Sequence, residues 1–110
     1  MSQYLISPTA IRDLEEISDY YAQRNVTAGD RLLNEFSKKC RYLTQFPKID
    51  RSYEHLRSGM RGLQLDQYIL FYQLLNDGIE IMRVLRGDDL WSVEDHRDLE
   101  ALFESDDEPS

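Results

Sequence analysis

Arg57, Arg61, Arg83 and Arg86, with Trp91 a few residues on, are the side chains through which this chain could grip a partner. Arginine and tryptophan dominate the energetically important positions of protein interfaces. Arg57 and Arg61 flank Gly59 beside a predicted sheet, while Arg83 and Arg86 fall on a predicted last strand. Side chains alternate along a strand, so two residues three apart should lie on opposite faces. For each arginine an ordinary surface position is the plain alternative, and for Trp91 it is covering its own sheet. Catalytic chemistry finds no such foothold. His55 and His96 are isolated, and two scattered histidines do not make a metal site. Cys40 falls on the apolar stripe of a helix, where cysteine acts as a small core residue. No glycine-rich phosphate loop is present. No catalytic residue, metal or cofactor is expected.

Charge narrows the partner. The net charge of −8 divides unevenly, since residues 1–87 hold 12 Lys+Arg against 11 Asp+Glu and residues 88–110 hold Arg97 against ten acids. The acidity is therefore a property of the last 23 residues. Lys38, Lys39, Arg41, Lys48, Arg51, Arg57 and Arg61 stand against only Asp50 and Glu54. A local positive patch of this kind attracts an acidic partner or a nucleic acid. The 110 residues predict one domain. No apolar run approaches the roughly 18 residues that would span a bilayer. The start lacks a basic segment followed by a long apolar core, so no signal peptide is expected. A single cysteine cannot close an internal disulfide, which points to the cytoplasm.

Residues 60–87 must position most of these side chains. Met60–Leu65, Tyr68–Leu75 and Ile79–Arg86 are three apolar, β-branched and aromatic runs, separated by Asp66-Gln67 and by Asn76-Asp77-Gly78. That is the pattern of a three-strand meander. The Asp77-Gly78 pair predicts a tight turn with positive φ at the glycine. The middle run is almost wholly apolar, as a central strand covered on both faces would be.

Upstream, Tyr4-Leu5-Ile6 predicts a short strand, and Ser7-Pro8 an N-cap followed by proline in the first helical position. Ile11, Leu14, Ile17 and Tyr21 form one stripe of a helix over about 8–23, with Asp13, Glu15, Glu16 and Asp19 facing elsewhere. After a break at Arg24–Val26, Thr27-Ala28-Gly29-Asp30 matches a capping box. Leu32, Leu33, Phe36, Cys40 and Leu43 then mark the buried face of a second helix, which Phe46-Pro47 ends. Residues 48–59 read as a loop. The fold class is α+β: a small antiparallel sheet, made of the N-terminal strand and the meander, packed against an antiparallel helix hairpin. Residues 88–110 form an acidic extension. A capping pattern at Ser92–Asp95 and the stripe Leu99, Leu102, Phe103 predict a short helix over about 93–103, followed by a disordered tail over 104–110. That stripe could dock on the body, and a solubilising tail is the plain alternative.

This order of elements resembles the RelE/ParE toxin superfamily of bacterial toxin–antitoxin pairs, in its ParE branch. The likeness rests on Leu5–Ala10 leading into Asp13-Leu14 and Ile17, on Phe46-Pro47, on Leu56–Arg61, on Tyr68–Tyr72 and on Asp77–Gly87. It covers about residues 4–87, and the acidic segment after Gly87 departs from it. RelE-type members cut messenger RNA, which needs a proton acceptor, a donor and positive charge on the oxyanion. The positions where they place arginine and lysine are here Ile69, Met60, Gly62 and Asp89. Loss of one such stabiliser costs on the order of 10²–10³ in rate. The resemblance therefore implies a gyrase inhibitor that acts by binding. Its partners would be DNA gyrase and a cognate antitoxin, with operator DNA reached only through the antitoxin. An mRNA interferase with groups drawn from positions such as His55, Tyr68 or Arg86, and an inactive module that only binds antitoxin, are the alternatives. Nothing in the sequence fixes the oligomeric state.

Overall fold

A meander whose strands alternate cleanly buries one face under helices and needs a second strand pairing at its free edge. The computed structural model describes residues 3–48, 51–54 and 58–87, and it shows how both needs are met. The elements run β1 (Gln3–Ile6), α1 (Pro8–Ala22), α2 (Val26–Gln45), β2 (Arg51–Ser52), β3 (Met60–Leu65), β4 (Tyr68–Leu75) and β5 (Gly78–Arg86). They build one five-stranded sheet in the order β1-β5-β4-β3-β2, with β4 at its centre as its apolar sequence predicts. The α+β class stands. The sheet is mixed rather than antiparallel throughout, because β1 lies parallel to β5, with Gln3 beside Gly78 and Ile6 beside Ile81. A parallel pair needs a long crossover, and the helix hairpin with the rest of the meander supplies it. The predicted loop after α2 also contributes β2, which pairs with Gly62 and Arg61 of β3.

The helices start where local chemistry lets them. Ser7 caps α1, its hydroxyl accepting from the Ala10 N–H at 3.0 Å, and Pro8 opens the helix. For α2 the cap is Asn25 and not Thr27, with the Asn25 side chain accepting from the Ala28 N–H at 3.1 Å. Asparagine is the better cap and sits two residues earlier, so it takes the helix start. Phe46 ends α2, and the buried Tyr72 hydroxyl donates to the Pro47 carbonyl at 2.8 Å, pinning that end over the sheet.

Glycine at the last hairpin serves a different end from the one its sequence suggests. Among the described residues positive φ occurs at Asp66 (55°) and Gly59 (78°), not at Gly78. A side chain at Gly78 would instead strike the Gln3 carbonyl. The residue is small so that β1 can close against β5.

The main core lies between helices and sheet. Ala10, Ile17, Leu32, Phe36, Cys40 and Leu43 meet Leu70, Tyr72, Ile79, Ile81 and Val84. Each fully buried aliphatic side chain of this kind contributes roughly 1.5–3 kcal/mol. On the far face of the sheet Met60 and Phe71 are fully buried, with Tyr53, Ile69, Met82 and Leu85 around them. The buried face of α2 is as its spacing predicts at Leu32, Phe36, Cys40 and Leu43, while Leu33 is only half-buried. That of α1 is rotated: Ile11 is exposed and Asp13 is buried. The extension, including the predicted helix over 93–103, lies outside the described residues. No helix among the described residues is long and apolar enough to cross a membrane.

Candidate functional site

The irregular point of the sheet is in β5. Phe71 faces Arg83 while its neighbour Tyr72 faces Ile81, so Met82 is an extra residue and β5 carries a β-bulge. A bulge leaves ladder groups unpaired and re-aims the side chains beside it. Here the start of α1 satisfies those groups. Ser7 donates its N–H to the Ile81 carbonyl at 2.9 Å and its hydroxyl to the Met82 carbonyl at 3.0 Å. One turn on, Asp13 accepts the Val84 N–H at 3.0 Å. The same carboxylate accepts from Arg83, Nε to Oδ2 at 2.8 Å and Nη2 to Oδ1 at 2.9 Å. Both side chains of this pair are largely out of solvent. An ion pair joined by two parallel hydrogen bonds fixes geometry as well as charge.

The register keeps the two arginines on opposite faces, Arg83 beside Phe71 of the far-face cluster and Arg86 beside Tyr68 of the helix-side core, yet both line one cleft because Arg83 reaches Asp13 of α1. This cleft, of about 220 Å³, is bounded by Asp13, Ile17 and Tyr20 of α1 and by Tyr68, Arg83 and Arg86 of the sheet. Arg83 is committed to Asp13. Arg86 reaches the Gln67 side-chain oxygen at 3.4 Å. Tyr20 stacks edge-on against Tyr21 at 5.2 Å and carries the Arg24 guanidinium 4.0 Å above its ring. Burial, and then the neighbouring Tyr21 phenol, push the Tyr68 hydroxyl up to about 12. A phenol so placed stays protonated near neutrality. The cleft offers aromatic surface, a cation and hydroxyl groups, which suits recognition.

Arg61 lies apart from this cleft, with its Nη2 donating to the Lys48 carbonyl at 2.8 Å. Arg57 and Trp91 lie outside the described residues. A second, larger cleft of about 360 Å³ opens between α2 and the β3–β4 turn, over Tyr21, Ala28 and Leu32, with Arg31, Lys39 and Asp66 at its rim. Cys40 is fully buried, and burial pushes its thiol up to about 12, so it is a core residue and no nucleophile. Among the described residues no three His, Cys, Asp or Glu side chains gather as a metal site would require.

Asp13 and Tyr20 line the α1–β5 cleft without having been singled out from the sequence as partner-binding candidates, whereas Tyr68 stood only among the groups of the interferase alternative. Asp13 could have been suspected from spacing, since it shares one helical stripe with Ala10 and Ile17.

Met60 is fully buried, Ile69 packs against the Met60–Phe71 cluster, and a side chain at Gly62 would meet Tyr53 at 2.6 Å and Ile69 at 3.2 Å.

Residues 4–91 match the model of the ParE toxin of the type II toxin–antitoxin system parDE. The chain is 35% identical over 86 residues to toxin ParE1 of Mycobacterium tuberculosis strain CDC 1551 / Oshkosh, covering 76% of this chain and 88% of that toxin. The same figures hold for toxin ParE1 of strain H37Rv. Its fold is similar to a chain of the chromosomal ParDE system from P. aeruginosa, with a TM-score of 0.66 at 19% identity, covering 78% of this chain and 96% of that one.

Proposed function

The chain belongs to the ParE toxin family of type II toxin–antitoxin systems, and from that premise we propose that it is the toxin of such a pair, inhibiting DNA gyrase by binding and held in check by a cognate antitoxin. One observation supports binding over RNA cleavage. The far face of the sheet, where a nuclease of this superfamily gathers its charges, is here an apolar cluster of Met60, Phe71, Ile69, Met82 and Leu85. Met60 and Ile69, at two of the positions where a nuclease carries charge, offer neither a proton acceptor nor positive charge for a developing oxyanion. The antitoxin is an amphipathic, acidic segment that folds as it binds over the helix hairpin and the basic residues between Lys38 and Arg61. Operator DNA is reached through the antitoxin.

Induction of the chain alone in a bacterium should arrest growth and raise the SOS response while ribosome-bound messenger RNA stays intact. Co-expression of the antitoxin should restore growth. Ribosome-dependent cleavage by the purified protein, lost on Arg86→Ala, would overturn the proposal in favour of the interferase.

A further inference from the structure

The last turns of α2 carry two rings that belong to neither cleft. Tyr42 and Phe46 stand 39% and 48% exposed, and they touch, with centroids 5.2 Å apart and planes tilted by 41°. Neighbouring large apolar groups left on a surface mark a place for a partner. The pair is held from behind. The Phe46 N–H donates to the Tyr42 carbonyl at 3.0 Å and closes the helix. The Tyr72 hydroxyl donates to the Pro47 carbonyl, and Arg61 to the Lys48 carbonyl, both at 2.8 Å, which ties the helix end to the sheet. Residues 36–48 hold Lys38, Lys39, Arg41 and Lys48 and no acid. Lys38 and Lys39 precede Tyr42 by one helical turn, so cations border the rings. Glu35, the acid before this run, pairs with Lys38 at 3.7 Å, and on the sheet side Glu54 accepts the Gly59 N–H at 3.1 Å.

We propose that this end of α2 binds single-stranded DNA, with bases stacking on Tyr42 and Phe46 and phosphates meeting Lys39, Arg41 and Lys48. A single strand offers an exposed base face and a phosphate at every nucleotide, which matches paired rings bordered by cations. A duplex hides its base faces in the stack. An amphipathic peptide helix lays its apolar side into a groove, whereas these rings stand on the outer surface of a helix end. Residues 36–48 supply no carboxylate to accept the ribose 2′-hydroxyl that marks RNA, so DNA is the strand proposed. The net charge of −8 opposes DNA at long range. At 0.1 M salt, however, charges more than about 10 Å away are largely screened and the local cations decide. The inference uses no toxin activity, so its failure would leave that reading standing. The antitoxin proposed to run over the same cations would displace the strand.

Fluorescence anisotropy of the full-length chain with a labelled oligothymidylate of about 12 nucleotides tests it, a length within the site sizes of small single-strand binders. Binding should saturate at about 0.1 M salt, and three phosphate contacts predict a slope of about −2 for log affinity against log salt. Tyr42→Ala/Phe46→Ala should weaken binding about 10-fold or more and keep that slope. Arg41→Gln/Lys48→Gln should cut the slope by about two-thirds. All four side chains are exposed, so both variants should keep the thermal midpoint of the wild type. Amide shifts on adding the oligonucleotide should gather at residues 38–48. Absence of binding would overturn the proposal, and so would undiminished binding by Tyr42→Ala/Phe46→Ala, which would reduce the contact to charge alone. Tighter binding of an oligouridylate of the same length would make RNA the ligand instead. A polyglutamate peptide that binds as well and loses as much on Tyr42→Ala/Phe46→Ala would make an acidic protein the occupant. Shifts confined to Tyr20, Tyr68 and Arg86 would move the site to the α1–β5 cleft.

Discussion

Asp13 holds Arg83 through both carboxylate oxygens, at 2.8 and 2.9 Å, across 70 residues of sequence. The same carboxylate takes the Val84 N–H freed by the bulge, so one side chain fixes the first helix, the irregular strand and the direction of an arginine. Removing one partner of a largely buried pair strands the other and typically costs about 3–5 kcal/mol. Asp13→Ala should therefore lower unfolding stability by about that much in urea titration. Asp13→Asn keeps an acceptor for Val84 and should cost less. In a double-mutant cycle, Asp13→Leu with Arg83→Met should be less destabilised than the two single changes sum to. Additive losses would mean that the pair is not coupled.

Gly78 tests the closure of β1 on β5. An added methyl would strike the Gln3 carbonyl, which is backbone and cannot swing away. At Gly62 the obstacle is the Tyr53 ring, which can. Gly78→Ala should thus cost more than Gly62→Ala, within the roughly 1–3 kcal/mol typical of overpacking. Faster hydrogen exchange at Tyr4, Ile6 and Ser7 should accompany it.

These two sites also show what the sequence makes legible and what it hides. The meander, the helix hairpin, the Ser7-Pro8 start and the core face of α2 follow from local spacing and capping, and all are where that spacing puts them. The parallel pairing of β1 is not local, because the period of two is the same for parallel and antiparallel strands. Nor is the bulge, whose extra residue Met82 looks like any other apolar strand position. Arg83 and Arg86 keep the opposite faces that their spacing gives them, yet both line one cleft, because Arg83 reaches Asp13 of α1. Asp13 reads as a surface acid because its partners come from the far end of the chain. Gly78 beside Asp77 reads as a turn glycine, although its smallness is needed by a strand that arrives from elsewhere.

Cys40 predicts an alkaline limit to stability. Burial raises its thiol from 9.0 to about 12 in the folded chain. The unfolded chain therefore loses this proton first as pH rises. The sign follows from linkage: the contribution is flat below about pH 9, and stability then falls as pH climbs toward about 12, by up to roughly 4 kcal/mol. Cys40→Ala should flatten that part of the curve, leaving the smaller slope from Tyr68. At neutral pH the native thiol should resist iodoacetamide and react only in denaturant; rapid labelling of the folded chain would show that it is not buried.

Tyr72→Phe removes a single hydroxyl that donates to the Pro47 carbonyl at 2.8 Å. The change should cost about 0.5–1.5 kcal/mol, the usual net worth of one hydrogen bond, with somewhat more if the carbonyl finds no water. The loss belongs to the end of α2, so the increase in hydrogen exchange should centre on Leu43–Phe46. A uniform increase across the sheet would assign the hydroxyl a different role.

The two arginines of the α1–β5 cleft should separate by assay. Arg83 is the counter-ion of a buried aspartate, and Arg83→Ala should lower the thermal midpoint, with growth inhibition falling in step with the folded fraction. Arg86 lies at the rim beside Tyr20 and Tyr68, and the toxin reading makes it a contact for the partner. Arg86→Ala should leave the thermal midpoint close to that of the wild type while weakening gyrase inhibition by roughly 10-fold or more, as loss of an interface hot spot does. Arginine also presents charge in a plane that lysine lacks, so Arg86→Lys should restore only part of the effect. If Arg86→Ala inhibits as well as the wild type at equal protein concentration, the toxic contact lies elsewhere. The basic surface from Lys38 to Arg61 would then be the next face to test, by charge reversal at Arg41 and Lys48.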